Sequence, residues 1–360
     1  DALNAQIAAE LKRRAGDRDR QRDARDAVPA EPPGQDAAGT GVDGPQWYRG
    51  SVYCKPLLEE PVLDASLAAL GAGRVIVGHT PTDDRRVREL YGGKLIMLDT
   101  GMLTEYYAGR PAALLIDRGD LRVQYVAPRE RRPPEHGRPE AYGLTRLQLL
   151  TALAEGDVAR DRAVRDGADG ERRVTLSHGG RMLEAIFVQA GRAGAAEEEL
   201  AAFAVDQLLR FDLVPPTVAR ALGSRDGALQ LVYPDAVSEA QRRQDAIALA
   251  DWCALEPQLQ LLAAFDLLVA NRAREADDVL FRPRYPELKA IDHERAFAGS
   301  RRLPPRLDDA AVAVPPPALA SLEGLTQGSL ERAAGRWLSE RDIAAVLARR
   351  DALLDRLDGR

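Results

Sequence analysis

The run Arg74-Val-Ile-Val-Gly-His-Thr-Pro-Thr82 places one histidine at the end of a β-branched, strand-forming stretch. A buried strand end fixes an imidazole, Gly78 lets the backbone turn sharply, and neutral imidazole suits Mn, Fe or Zn in a two-metal hydrolytic site. His79 is therefore a candidate metal ligand. One histidine does not make a metal site, and the same ring could close a strand end by packing or hydrogen bonding. Arg49, in Gly44-Pro-Gln-Trp-Tyr-Arg-Gly50, offers a guanidinium fork suited to phosphate oxygens, or else a snorkelling surface side chain beside aromatics. Asp99, before Thr100 and Gly101, fits a strand-to-loop turn better than a ligand.

The elements that must position these residues are an apolar helix around Leu63 to Leu70 and two strand-like runs, Tyr91-Gly-Gly-Lys-Leu-Ile-Met-Leu-Asp-Thr-Gly101 and Gly109-Arg-Pro-Ala-Ala-Leu-Leu-Ile116. In this order, over Trp47 to Val126, the series resembles the C-terminal half of calcineurin-like metallophosphoesterases. The likeness is to the bacterial phosphoprotein-phosphatase-like branch with its Gly-Pro-Leu-Trp-Tyr-Arg-Gly, Gly-His-Thr-Pro and Ile-Asp-Thr-Gly motifs. The resemblance implies that His79 is the last metal-binding histidine and that Arg49 faces the phosphate of a phosphorylated protein or small molecule. It also exposes a departure: Asp-x-His, Gly-Asp-x-x-Asp-Arg-Gly and Gly-Asn-His-Glu, which carry most of that family's metal ligands, are absent. One remaining ligand cannot assemble the two bridged metals that activate water. The chain opens at Asp1 with Leu3, Ile7 and Leu11 at helical spacing, and reads as the downstream part of a longer protein.

A second pattern lies near the other end. Phe265-Asp-Leu-Leu-Val-Ala-Asn-Arg-Ala-Arg-Glu-Ala-Asp-Asp-Val-Leu-Phe281, followed by Leu288-Lys-Ala-Ile-Asp-His293, resembles the catalytic and metal-binding loops of atypical kinase-like folds, over about Arg172 to Leu357. Carried over residue by residue, Asn271 and Arg274 stand where such a loop expects them, Asp278 falls on a Mg-binding asparagine position and Asp292 on the second metal-binding aspartate. Ala273 takes the place of the catalytic aspartate, and a methyl group accepts no proton. Glu199 matches the helix glutamate that pairs with a phosphate-clamping lysine, but the strand position of that lysine holds Val188. The resemblance thus implies a module that could bind Mg with ATP, yet lacks the base and the charge clamp for transfer.

Composition bounds the rest. At 360 residues, with 45% hydrophobic and 29% charged, the chain exceeds a single core and two or more domains are expected. A net charge of -6 gives no general attraction to nucleic acid, and no apolar run reaches the roughly 20 residues of a membrane helix. Cys54 and Cys253 are far apart in separate expected domains, so no disulfide and a reducing, cytoplasmic compartment are expected. Pro-, Gly- and Arg-rich breaks divide the chain into a helix and flexible linker over 1–46, a phosphoesterase-like unit over 47–127, a linker over 128–148 and a kinase-like unit over 149–360. The expected fold class is α+β, a partial metallophosphoesterase β-sandwich half followed by a two-lobed kinase-like domain. In the second unit a hairpin over Val174–Val188, a helix over Ala196–Leu209, strands at Val214–Val218 and Ala228–Val232, and a strand-loop-strand between Asp278 and Ile291 are expected. The leading functional reading is a fragment of a metal-dependent phosphoesterase, inactive by itself. The alternative is a kinase-like pseudoenzyme that binds nucleotide and metal or serves as an interaction scaffold.

Overall fold

The computed structural model describes residues 48–126, 128–164, 171–191, 195–250, 252–297, 299–304 and 312–358. The opening helix expected around Leu3 to Leu11 lies outside them. Among the described residues are ten helices and four sheets, a mixed α+β architecture.

The first part is built on alternation. Strand β1 (Val75–Val77) pairs in parallel with β3 (Leu95–Met97), which pairs antiparallel with β2 (Arg88–Leu90). Leu95 and Met97 face Leu63 and Leu67 of helix α2 (Pro56–Leu70), whereas Ile96 points to the other side and packs with Val123 and Tyr125 of β5 (Asp120–Tyr125). The period of two along one short strand thus places a helix on one face of its sheet and the three-stranded sheet β4-β5-β6 on the other. Here β4 is Ala112–Asp117 and β6 is Glu130–Arg132.

The segment 128–148, expected as a linker, is instead woven into the sheets. β6 pairs with β5, and β7 (Glu135–His136) pairs in parallel with β2. Composition misled because the charged run Glu130-Arg-Arg132 serves as an edge strand, where Arg110 and Arg132 lie over the Tyr125 ring.

The second part has a five-stranded sheet in the order β11 (Thr217–Leu222), β12 (Arg225–Leu231), β10 (Arg181–Gln189), β9 (Arg172–His178) and β8 (Asp157–Ala163), whose central hairpin, β9 and β10, turns at Gly179-Gly180 as expected. Both glycines have positive φ, which a two-residue hairpin turn requires. Strand β11 starts only at Thr217, not at Val214, because Pro215 and Pro216 have no N–H for a ladder. Helix α4 (Arg146–Glu155) covers this sheet through Leu149 and Leu153. Helix α5 (Ala195–Leu209) packs with α7 (Leu255–Val269), the hairpin of β14 (Val279–Arg282) and β15 (Glu287–Ala290), and α8 to α10 (Pro316–Glu323, Gln327–Ala334, Glu340–Asp358) around a second core. Leu57 of α2 joins that second core, so the first part is anchored directly on the helical one.

Cys54 and Cys253 form a disulfide with their Cα atoms 5.4 Å apart, well inside the range that a bridge needs. This corrects the expectation of two unpaired thiols, and removes the ground on which a reducing compartment was inferred. Their 199-residue separation in sequence carries no sign of the approach, which the docking of Leu57, and of Tyr53 against Trp252 and Tyr285, creates. Among the described residues no helix is long and apolar enough to cross a membrane.

Candidate functional site

Helix α7 ends at Ala270, whose φ of 56° turns the chain into the loop Asn271–Arg274. Asn271, almost wholly buried, works as a brace. Its side-chain amide donates to the Asp292 carbonyl at 3.2 Å and its carbonyl oxygen accepts from the Ala273 N–H at 3.2 Å. Arg274 grips both oxygens of Asp266 (2.8 and 3.1 Å), donates to the Ile291 carbonyl and lies 3.0 Å from His293 Nε2. These bonds pin the loop against the chain leaving β15, and bring Asn271, Arg274, Asp278 and Asp292 together as the sequence suggests.

Asp278 and Asp292 are close enough to repel. Burial pushes the Asp278 carboxyl above its ordinary value and the Asp292 charge pushes it further, with Arg274 opposing. Asp278 is tied through one oxygen to the Glu275 N–H at 2.8 Å. Asp292 is exposed and sits at φ 57°, which turns the chain so that its carbonyl reaches Asn271. Two mutually repelling carboxylates suit a hard cation that takes its remaining oxygens from phosphates and water, the usual arrangement for Mg. Among the described residues no group of three or more His, Cys, Asp or Glu side chains is placed to hold a metal by itself. Ala273, between Asn271 and Arg274, presents only a methyl group to this site.

Glu199, on α5, is 5% exposed. Burial alone would raise its carboxyl, but His293 lowers it, by charge and by hydrogen bonds from its backbone N–H and ring, and Gln230 lowers it through a bond of 3.0 Å. Both oxygens are thus occupied by the fold. Val188 sits opposite Ala228 in the sheet and packs with Ala196 and Leu200, an apolar patch where a clamp would need an ammonium.

In the first part, Arg49 and His79 are brought together, but not as a metal site. An Arg49 amine donates to the His79 backbone carbonyl at 3.1 Å and another to the Tyr48 carbonyl at 3.2 Å. His79 is exposed, at φ 58°, on the loop that follows β1. Asp99 does what its turn chemistry suggests and accepts from the Gly101 N–H at 2.8 Å.

The chain contains a densely charged cluster that sequence reasoning missed. Asp212 receives Lys289 at 2.8 Å and Arg146, Glu140 receives Arg146 at 2.8 Å and the Tyr233 hydroxyl, and Glu287 receives Arg282 at 3.1 Å and Arg138. Lys55 donates to the Asp212 and Leu288 carbonyls, and burial lowers its amine to about 8. A signal was present: the sequence has four lysines, and Lys289 stands inside the short apolar strand Leu288-Lys-Ala290. A cavity of about 730 Å³ opens beside this cluster, walled in part by Leu57, Tyr91, Arg138, Arg146 and Arg210.

No protein-family model matches the sequence. An uncharacterized protein of Schizosaccharomyces pombe is 34% identical over 82 residues, 22% of this chain, which spans only about a quarter (23%) of that protein. Two of the solved structures to which the chain is similar contain kinase domains. The Helicobacter pylori proinflammatory kinase CtkA is 9% identical, with a TM-score of 0.38, over 57% of this chain and 95% of that one. The FAT and kinase domain of CtTel1 is 11% identical, with a TM-score of 0.33, over 56% of this chain and 22% of that one.

Proposed function

We propose that the second part is a kinase-like module that holds a Mg-nucleotide without transferring its phosphoryl group, and through it serves as a binding scaffold. The observation that carries this reading is the braced loop. Asn271 and Arg274 pin the backbone at Ile291 and Asp292, which keeps the Asp292 charge near the Asp278 carboxyl, a repulsion that a cation relieves, while Ala273 leaves no proton acceptor and Glu199 is spent on His293 and Gln230. Asp278 and Asp292 would hold the cation, which would supply charge neutralisation for the phosphates. The protein's own part is to fix the loop.

The expected result is a rise in melting temperature with millimolar ATP and Mg²⁺. At a hundredfold excess over Kd, linkage supplies about 2.7 kcal/mol, a rise of roughly 3–4 °C for a chain of this size. Asp292→Ala abolishes the rise. Differential scanning fluorimetry checks it, and an equal rise in Asp292→Ala would sink the cation's role.

The Arg49 bond to the His79 loop favours a second reading for residues 47–127, a metallophosphoesterase-like unit whose phosphate arginine and last histidine are neighbours. On that reading this chain supplies one ligand of a two-metal site, so it hydrolyses p-nitrophenyl phosphate with Mn²⁺ no faster than Mn²⁺ alone. Turnover above that background, lost in His79→Ala, would contradict the incomplete site.

A further inference from the structure

Arg349 of helix α10 is a fully buried guanidinium. Its Nε donates to the Leu268 carbonyl at the end of α7 (2.7 Å), one terminal amine donates to the Ser300 carbonyl, and the other, Nη2, is buried with no partner. No carboxylate of the described residues lies within ion-pair distance of it. Burial first, and the nearby Arg272 charge second, lower its pKa to about 10, with Asp342 opposing. An uncompensated buried cation is costly, and a dianion beside it would remove that cost.

The residue whose carbonyl the other amine reaches, Ser300, carries a hydroxyl. Ser300 is half-exposed, and its Oγ accepts from the Arg302 N–H at 3.2 Å and donates to that residue's carbonyl at 3.4 Å. Arg301 and Arg302 follow it, and Arg341 lies against Gly299, its Nε 3.3 Å from where a β-carbon would sit. Asp342 is beside Gly299 too: its Oδ2 accepts from the Ser339 hydroxyl and N–H at the start of α10, and its Oδ1 lies 3.6 Å from where the Gly299 β-carbon would sit.

We infer that Ser300 is a phosphorylation site whose phosphoryl group is taken up by the unpartnered amine of Arg349, with Arg272 and Arg341 completing an arginine pocket. A separate protein kinase would supply the step. Its nucleoside triphosphate gives up the γ-phosphoryl, the Oγ–P bond forms, the bond to the bridging oxygen of the departing diphosphate breaks, and the hydroxyl proton leaves to that kinase's base. The product ties the segment at Ser300 to α7 and α10, the usual consequence of a phosphoserine facing an arginine cluster.

The test is the melting temperature of the 360-residue chain with phosphoserine genetically encoded at position 300, against the unmodified chain. The expected result is a rise of about 3 °C or more, lost in Arg349→Lys. Because a change at a buried arginine can itself unfold the protein, Arg272→Ala, at an exposed position, is made in parallel and should reduce the rise. An unchanged or lower melting temperature with phosphoserine overturns the assignment. A saturable rise of the same size in the unmodified chain with inorganic phosphate, against chloride at equal ionic strength, also overturns it in favour of a free-anion site.

Discussion

Breaking the Cys54–Cys253 bond, by a dithiol reductant or by Cys54→Ser with Cys253→Ser, lowers the unfolding free energy by about 3–5 kcal/mol. The bond closes a loop of 199 residues. In the chain-entropy account a loop of that size restricts the unfolded ensemble by about 5 kcal/mol, and measured disulfides commonly give somewhat less. The corresponding fall in melting temperature is roughly 4–7 °C. Calorimetry with and without reductant reads it directly. The reduced and serine forms should agree, and a form as stable as the oxidised chain would show that the bridge constrains nothing.

Asp212→Asn has a comparable effect by another route. The Asp212 carboxylate faces Lys289, Arg146 and Lys55 in a partly buried site at the edge of the cavity. Removing its charge leaves Glu140 alone to balance Arg146 and Lys289, at a cost of about 2–4 kcal/mol at neutral pH. The pH dependence fixes the sign. Burial alone would raise this carboxyl, but Arg146, Lys289 and Lys55 hold it far below its ordinary value. Its stabilisation is therefore present above the unfolded value near 4 and fades as pH falls toward the folded one. Urea unfolding at pH 7 and at pH 3 should show a large gap between parent and variant at the first and a smaller one at the second. A gap independent of pH would point to lost packing rather than lost charge.

How much of this was legible follows from the kind of signal each feature leaves. Strand β3 was plain because Leu95-Ile-Met97 is bounded by glycines, and the hairpin over β9 and β10 because Gly179-Gly180 marks its turn. The grouping of Asn271, Arg274, Asp278 and Asp292 came from the resemblance to kinase-like loops, and in the structure a short loop and one hairpin separate them. What the sequence concealed depends on distant approach. The Glu199 carboxylate meets His293 across 94 positions, and the Cys54 thiol meets Cys253 only because α2 docks through Leu57. Charged composition misled over 128–148, where arginines that read as a solvated linker stack on Tyr125 and pair with Glu130 and Glu135. Arginine's long apolar stem makes such an edge strand possible.

The central proposal, binding without transfer, is tested most directly by equilibrium dialysis of the 360-residue chain against ATP labelled at the γ-phosphate with Mg²⁺, followed by chromatography of what is retained. The account predicts saturable retention of intact ATP, no label on protein, and loss of retention in Asp292→Ala. Retention as ADP with label on the protein would show that the loop transfers phosphoryl groups despite Ala273, and no retention at millimolar ATP would show that the carboxylate pair serves no nucleotide.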